Sequence, residues 1–261
     1  MSKNSEPSAI DNTTNFLDVP WSLRDVALAL LATLGIFLLA IVITGLPLLV
    51  TYWFVPALYP AVRAVVQNPL FQAATLLPLE AAFLVPVWWW GVHKYGCTWR
   101  YMGLQPLENT VPTLVTTFAM LGGFYLLNCC YAGVLGLLLP GLEPPPIPLP
   151  LDGGWPVLLL TFLSLSVVAP VAEELLFRGF IFRGLCRRMS VRWAGVLSVA
   201  VFALPHLDLT RLVPLFALGL ILTYLYARTR SLIPGILVHS AVNSLSFLLL
   251  ILLRDAGYTS T

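Results

Sequence analysis

Long apolar stretches separated by short polar ones make up most of the chain, and this pattern predicts membrane-spanning helices. About 20 apolar residues are enough for a helix to cross the hydrocarbon core of a bilayer. Stretches that reach or approach this length lie at about residues 26–50, 70–92, 111–139, 155–182, 193–207, 213–227 and 233–253. We therefore predict an all-α fold, a polytopic transmembrane helical bundle of about seven to eight helices.

The same pattern divides the chain into four segments. Residues 1–22 are predicted to be a polar, loosely ordered cytoplasmic lead, and residues 23–140 to hold the N-terminal transmembrane helices. Residues 141–154 form a Pro-rich loop, because the prolines at 144–146 cannot continue a helix and favour an extended chain. Residues 155–254 are predicted to form a transmembrane core that carries the chemistry.

Composition supports the membrane interpretation without any motif. The 261 residues are 59% hydrophobic and only 10% charged, and the mean hydropathy is +0.88. Soluble domains contain about 25% charged residues. We therefore expect membrane lipid as a partner and no nucleic acid. The four cysteines show neither disulfide nor metal-site spacing.

Three ionisable residues interrupt the fourth apolar stretch: Glu173, Glu174 and Arg178. A charged side chain at bilayer depth costs roughly 2.5–3.5 kcal/mol on insertion scales, and such residues are usually functional. The alternative is that the helix ends early and leaves these charges at the membrane interface. The continuing apolar run through Phe180 and Phe182 disfavours that alternative.

Helical geometry predicts different roles for the two glutamates. Adjacent residues point about 100° apart around a helix, so the two cannot serve one direction. Glu174 and Arg178 are four residues apart with the acid first, which favours an ion pair. We therefore predict that Arg178 holds Glu174 as structure and leaves Glu173 as the available carboxylate.

The later apolar stretches contribute further polar residues. His206 follows Pro205, which is expected to kink its helix. His239 and Asn243 are four residues apart and share one helical face. One histidine in such a helix is usually a packing residue, whereas two with a glutamate and an asparagine predict a shared polar site.

Two chemical interpretations fit this set. In the first, Glu173 is a general base, His206 and His239 assist, and Asn243 donates to an oxyanion. In the second, His206, His239 and Glu173 bind zinc, which activates the water. Both lead to hydrolysis of an amide. The sequence contains no His-Glu-x-x-His motif and no Gly-x-Ser-x-Gly motif, which disfavours a common zinc protease and a serine nucleophile.

Three short motifs on successive apolar segments carry a family resemblance. In chain order they are Glu173-Glu174-x-x-x-Arg178, Phe202-x-x-x-His206 and His239-x-x-x-Asn243. They resemble the motifs of the CPBP family, which contains CAAX prenyl endopeptidases and Abi-type bacteriocin-processing proteins. The resemblance covers about residues 155–253. It implies an integral, multi-pass protein of the bacterial plasma membrane.

The resemblance also implies an activity. It points to an intramembrane endopeptidase, of a metallo- or glutamate type, acting on a membrane-associated protein or peptide. The resemblance does not fix the substrate, and a prenylated CAAX-type protein is one of the alternatives that it leaves open. By motif position, Glu173 would activate water, His206 and His239 would assist, and Asn243 would support the oxyanion. The competing hypotheses are a non-catalytic scaffold or regulator with the same polar core, and a transporter. A transporter is disfavoured because no paired repeats are visible.

Lys and Arg positions predict the orientation. With seven spans and a cytoplasmic amino terminus, ten of the 14 Lys and Arg residues fall inside, three fall outside and Arg178 lies in the membrane. The inside residues are Lys3, Arg24, Lys94, Arg100, Arg183, Arg187, Arg188, Arg192, Arg228 and Arg230. This bias places the carboxyl terminus outside, unless one of the short later helices is re-entrant.

The orientation predicts how an introduced thiol will react. In a background without native cysteines, Arg188→Cys should resist an impermeant maleimide in intact cells and react after lysis. The reason is that Arg188 belongs to the positively charged inside loops. Labelling of intact cells would reverse the predicted topology.

Overall fold

The computed structural model describes residues 16–142, 149–206 and 209–255. The chain in these ranges is helical and contains no strand, which confirms the predicted all-α class. Part of the predicted lead (1–15) and part of the predicted Pro-rich loop (143–148) lie outside the described residues.

Eight helices form the described part of the chain. They are α1 (Leu23–Phe54), α2 (Tyr59–Val66), α3 (Pro69–His93), α4 (Thr110–Leu138), α5 (Trp155–Cys186), α6 (Val191–His206), α7 (Leu209–Thr229) and α8 (Ile233–Asp255). All except α2 and α6 are long and apolar enough to cross a membrane. The protein is therefore the multi-pass membrane bundle that the sequence predicts, with a short α6 as expected.

Local sequence sets several helix boundaries. Ser22 caps α1, because its hydroxyl accepts from the Asp25 amide while the Asp25 carboxylate accepts from the Ser22 amide. Asn68 caps α3 by accepting from the next two free amides. Within α3, the regular turns are interrupted at Ala82 and Phe83, where Pro86 provides no amide hydrogen and its ring clashes with the carbonyl four residues earlier. Helix α2 was not predicted, because eight residues are too short for a span.

The described end of the lead packs into the bundle, although the sequence suggested a loosely ordered segment. Trp21 is fully buried and stacks on Phe180 of α5, with ring centroids 4.9 Å apart. Its indole Nε1 donates to the Phe180 carbonyl at 3.0 Å. Phe16 and Leu17 pack against the same core. Because residues 1–22 are polar on average, the sequence did not predict that these apolar side chains are packed into the bundle.

Arg183, near the C-terminal end of α5, connects the lead to the bundle. It is buried, although the sequence placed it in a basic loop. Its guanidinium donates to the carbonyls of Phe16 at 2.7 Å and Tyr101 at 2.6 Å. It also lies over the Tyr101 ring, 4.6 Å from the centroid. Carbonyl acceptors and aromatic faces thus stabilise this buried cation without a carboxylate.

Helix α5 is the centre of the fold. Residues 174–185 are all buried, and they pack among α3, α6 and α7. Gly179 permits a close approach of another backbone segment, since a Cβ at this position would lie 2.8 Å from the Met102 carbonyl oxygen. The lead, the segment after α3 and the loop before α8 all meet at this end of α5.

Packing of the lead predicts an effect on stability. Trp21→Phe keeps an aromatic ring but removes the donor to the Phe180 carbonyl. It should destabilise the protein by roughly 1–3 kcal/mol, which thermal unfolding in detergent would detect by circular dichroism. Trp155→Phe is the matched control, because Trp155 is 73% exposed. Equal melting temperatures for the two variants would show that the lead does not stabilise the fold.

Candidate active site

Glu174 and Arg178 form a fully buried ion pair on α5. Arg178 Nη1 lies 2.8 Å from Glu174 Oε1, and neither side chain is exposed. Arg178 also donates from Nη2 to the Gly219 carbonyl of α7 at 3.3 Å and lies over the Phe202 ring. Removing one member of such a pair leaves a buried charge and typically costs about 3–5 kcal/mol. The pair thus fixes α5 against α6 and α7.

His239 of α8 lies between the two glutamates. Its Nε2 is 3.6 Å from Glu173 Oε2, and its Nδ1 is 3.3 Å from Glu174 Oε1. The two carboxylates thus diverge and nevertheless contact the same imidazole, which the sequence did not predict. An imidazole carries its nitrogens on different edges, so one ring contacts both of two diverging carboxylates.

The ion pair decides which nitrogen of His239 carries hydrogen. The Glu174 carboxylate, paired with Arg178, accepts hydrogen bonds and cannot donate them. The shared hydrogen with His239 therefore belongs to Nδ1. Nε2 then faces Glu173 with its position set by the buried pair behind it.

His206 ends α6 in a tight turn after Pro205 and is exposed. Its Nδ1 lies 3.1 Å from the Phe202 carbonyl, which can only accept, so Nδ1 carries hydrogen and Nε2 is available. The Phe202 ring contacts both histidines, with centroids 5.5 Å from His206 and 6.0 Å from His239. Both histidines interact electrostatically with Glu173.

Asn243 connects α8 to a wide turn of α5. Its amide donates to the Leu165 carbonyl at 2.7 Å. Leu165 belongs to a π-helical stretch, Ser164–Val168, and a second one follows at Glu174–Phe182. The residue pattern does not distinguish π-helical from α-helical turns, so neither stretch was predicted. Such stretches are common at functional sites. One hydrogen of the Asn243 amide is therefore used within the protein.

Two further residues interact with the glutamates of the site. Glu80 of α3 is the one acidic residue within the apolar stretch at 70–92; it interacts electrostatically with Glu173 and has no hydrogen bond or ion pair among the described residues. Gly235 of α8 gives Glu174 its space, since a Cβ there would lie 3.0 Å from Glu174 Oε2. An acid inside an apolar helix was the available signal for Glu80, whereas nothing in the sequence identifies Gly235.

The predicted zinc ligands lie on three different helices, with Glu173 on α5, His206 on α6 and His239 on α8. Within the described ranges, no three His, Cys, Asp or Glu side chains come together as a group able to hold a metal ion. His206 and His239 each use Nδ1 for a protein acceptor. Zinc binding by Glu173, His206 and His239 stays a prediction.

Comparisons with known proteins bear on the second half of the chain. Residues 155–245 match the family model described as type II CAAX prenyl endopeptidase Rce1-like. YdiL of Bacillus subtilis (strain 168), named as a candidate membrane peptidase, is 34% identical over 33% of this chain and 35% of its own length. The UPF0177 protein YxdF of Lactococcus lactis subsp. lactis (strain IL1403) is 34% identical over 35% of this chain and 50% of its own length. No solved structure matches significantly.

The matched segment contains Glu173, Glu174, Arg178, His206, His239 and Asn243. It spans a third to a half of the length of these relatives. Both relatives are bacterial, which supports a bacterial membrane for this multi-pass protein. The match of residues 155–245 to the Rce1-like family model confirms the CPBP resemblance carried by the three motifs.

Proposed function

We propose that the protein is an intramembrane endopeptidase that hydrolyses a peptide bond of a membrane-associated protein or peptide. The observation that carries this proposal is the position of His239 between Glu173 and the buried Glu174–Arg178 pair. Activation of water needs an oriented base with a second polar group within reach. The description of the Rce1-like domain and the name of YdiL support the same reaction class.

Glu173 acts as the general base. Its side chain is 15% exposed, so water can reach it, and its carboxylate lies 3.6 Å from His239 Nε2. One proton of the water moves to Glu173 while the water oxygen bonds to the carbonyl carbon of the substrate. His239 Nε2 accepts a hydrogen bond from the other hydrogen of that water. The proton on Glu173 then moves to the leaving nitrogen as the C–N bond breaks.

His206 and Asn243 stabilise the negative charge on the carbonyl oxygen. His206 is exposed and offers Nε2, which donates in the imidazolium form. Asn243 has a second amide hydrogen besides the one given to the Leu165 carbonyl. A donor aimed at a developing oxyanion typically contributes about 10²–10³ in rate.

The family description supports a proposal for the substrate class. A type II CAAX prenyl endopeptidase acts on prenylated CAAX-type proteins, and we propose this class first for the present chain. The membrane position of the bundle suits a substrate that carries a lipid. Comparison of a prenylated and an unprenylated fluorogenic peptide tests the substrate separately from the chemistry.

A non-catalytic scaffold or regulator is the second candidate function. The observation in its favour is that Glu174, Arg178 and His239 are buried and paired, as they would be in a purely structural network. Glu173 and Asn243 are partly exposed, and His206 is exposed. Variants of Glu173 therefore separate the two functions.

Glu173→Gln should abolish cleavage without unfolding the protein, because it keeps the shape and removes the base. We expect the rate on a fluorogenic peptide in detergent to fall by about 10²–10⁴-fold with an unchanged melting temperature. Glu108→Gln, the same change at an exposed position, is the control. Wild-type cleavage by Glu173→Gln would contradict the mechanism, and full cellular function without cleavage would favour the scaffold. A chelator arm of the assay tests zinc dependence.

Gly235→Ala should weaken both folding and catalysis. The added methyl group meets Glu174 Oε2, and Glu174 is held by Arg178 and His239, so His239 must shift. Overpacking of this kind costs about 1–3 kcal/mol. The measurements are the melting temperature and the cleavage rate.

Gly133→Ala is the matched control, since a Cβ at this helical glycine meets nothing within 4 Å. We expect it to keep both wild-type values. Equal behaviour of the two variants would show that Glu174 has room to move and does not orient His239.

A further inference from the structure

Arginines at the junction of α5 and α6 divide into two pairs. Arg183 and Arg187 are engaged with the lead: Arg183 donates to the Phe16 carbonyl, and Arg187 donates to the Trp21 carbonyl at 2.9 Å. Arg188 and Arg192 are exposed and have no hydrogen bond or ion pair with any described residue. The sequence contains no acidic residue between Glu174 and Asp208 that could pair with them.

A cleft of about 640 Å³ lies at the start of α6 and includes Arg192 of this second pair. Its lining consists of Ser190, Val191, Arg192, Trp193 and Val196. Trp193 is 69% exposed. The cleft therefore combines an apolar wall and an indole with a cation that has no partner in the described chain.

The position of the cleft and the chemistry of its lining indicate what it binds. The cleft lies at the end of the bundle that holds Lys94, Arg100 and Arg228, the predicted cytoplasmic surface. Tryptophan is enriched at the level of lipid headgroups, and arginine forms strong hydrogen bonds with phosphate. Basic pockets at this level of a membrane protein bind anionic headgroups. An amphiphile with an anionic head and an apolar tail satisfies both parts of the lining.

We infer that this cleft binds an anionic phospholipid of the surrounding bilayer, with Arg192 at its phosphate and Trp193 and Val196 along its first methylene groups. This inference does not depend on the proposed peptidase activity. It gives Arg192 a function other than orientation of the chain. It also places a lipid at one end of α6, whose other end carries His206.

Quenching of Trp193 by brominated lipid tests the inference. The full chain is placed in phosphatidylcholine nanodiscs containing a fixed fraction of brominated phosphatidylglycerol or, in a parallel sample, brominated phosphatidylcholine. The difference between the wild type and Trp193→Phe isolates the signal of Trp193 from those of the other tryptophans. Phosphatidylglycerol should quench Trp193 more strongly than phosphatidylcholine at the same mole fraction.

Arg192→Gln should lower this preference about fivefold, the effect expected from one arginine at a membrane surface. Arg100→Gln is the matched control, because Arg100 is an exposed arginine at the same end of the bundle and outside the cleft. It should keep the preference at Trp193. Equal quenching by the two lipids, or an equal loss in both variants, would overturn the inference. Melting temperatures of the variants verify that each is folded.

Discussion

The buried pair of Glu174 and Arg178 is the constraint on which the site depends. Neither charge is stable alone in an apolar bundle, so each must keep its partner and its hydrogen bonds. Arg178 reaches α7 through the Gly219 carbonyl, and Glu174 reaches α8 through His239. The pair thereby joins three helices and also holds an imidazole with its free nitrogen toward Glu173. Substitution of Glu174 would therefore affect both folding and the proposed reaction. Substitution of Glu173, which lies outside the pair, can affect the proposed reaction alone.

Wide helical turns explain how neighbouring segments dock on α5. Hydrogen bonds in a π-helix run from residue i to i+5, and three carbonyls of the π-helical stretches accept a donor from elsewhere. Asn243 donates to Leu165, Ser198 donates to Phe177, and Trp21 donates to Phe180. Each donor comes from a different part of the chain. The helix that carries the glutamates is therefore held by side chains of α8, α6 and the lead, which limits its movement when a substrate binds.

The sequence predicted the spans well because the thickness of the hydrocarbon core sets the length of the apolar stretch that a spanning helix needs. The predicted helix at 233–253 is observed at Ile233–Asp255, and the short α6 with its turn at Pro205 also agrees. Features that depend on contacts between distant residues were not predictable. Burial of Trp21 beneath Phe180 is one such feature, because residues 1–22 are polar on average. The position of His239 is another. A helical wheel of α5 shows that Glu173 and Glu174 point in different directions, but it cannot show that a histidine of α8 contacts both of them.

Helices outside the Rce1-like segment also shape the site. The segment at 155–245 supplies the glutamates, the histidines and Asn243, but Glu80 comes from α3 and interacts with Glu173. Two carboxylates near each other in an apolar bundle raise each other's energy unless a proton, a donor or a cation lies between them. Among the described residues Glu80 has no hydrogen bond or ion pair, so the described chain supplies neither a donor nor a cation to offset this repulsion. The segment at 155–245 therefore supplies the residues of the proposed reaction, whereas α3 contributes a carboxylate that changes the electrostatic environment of Glu173.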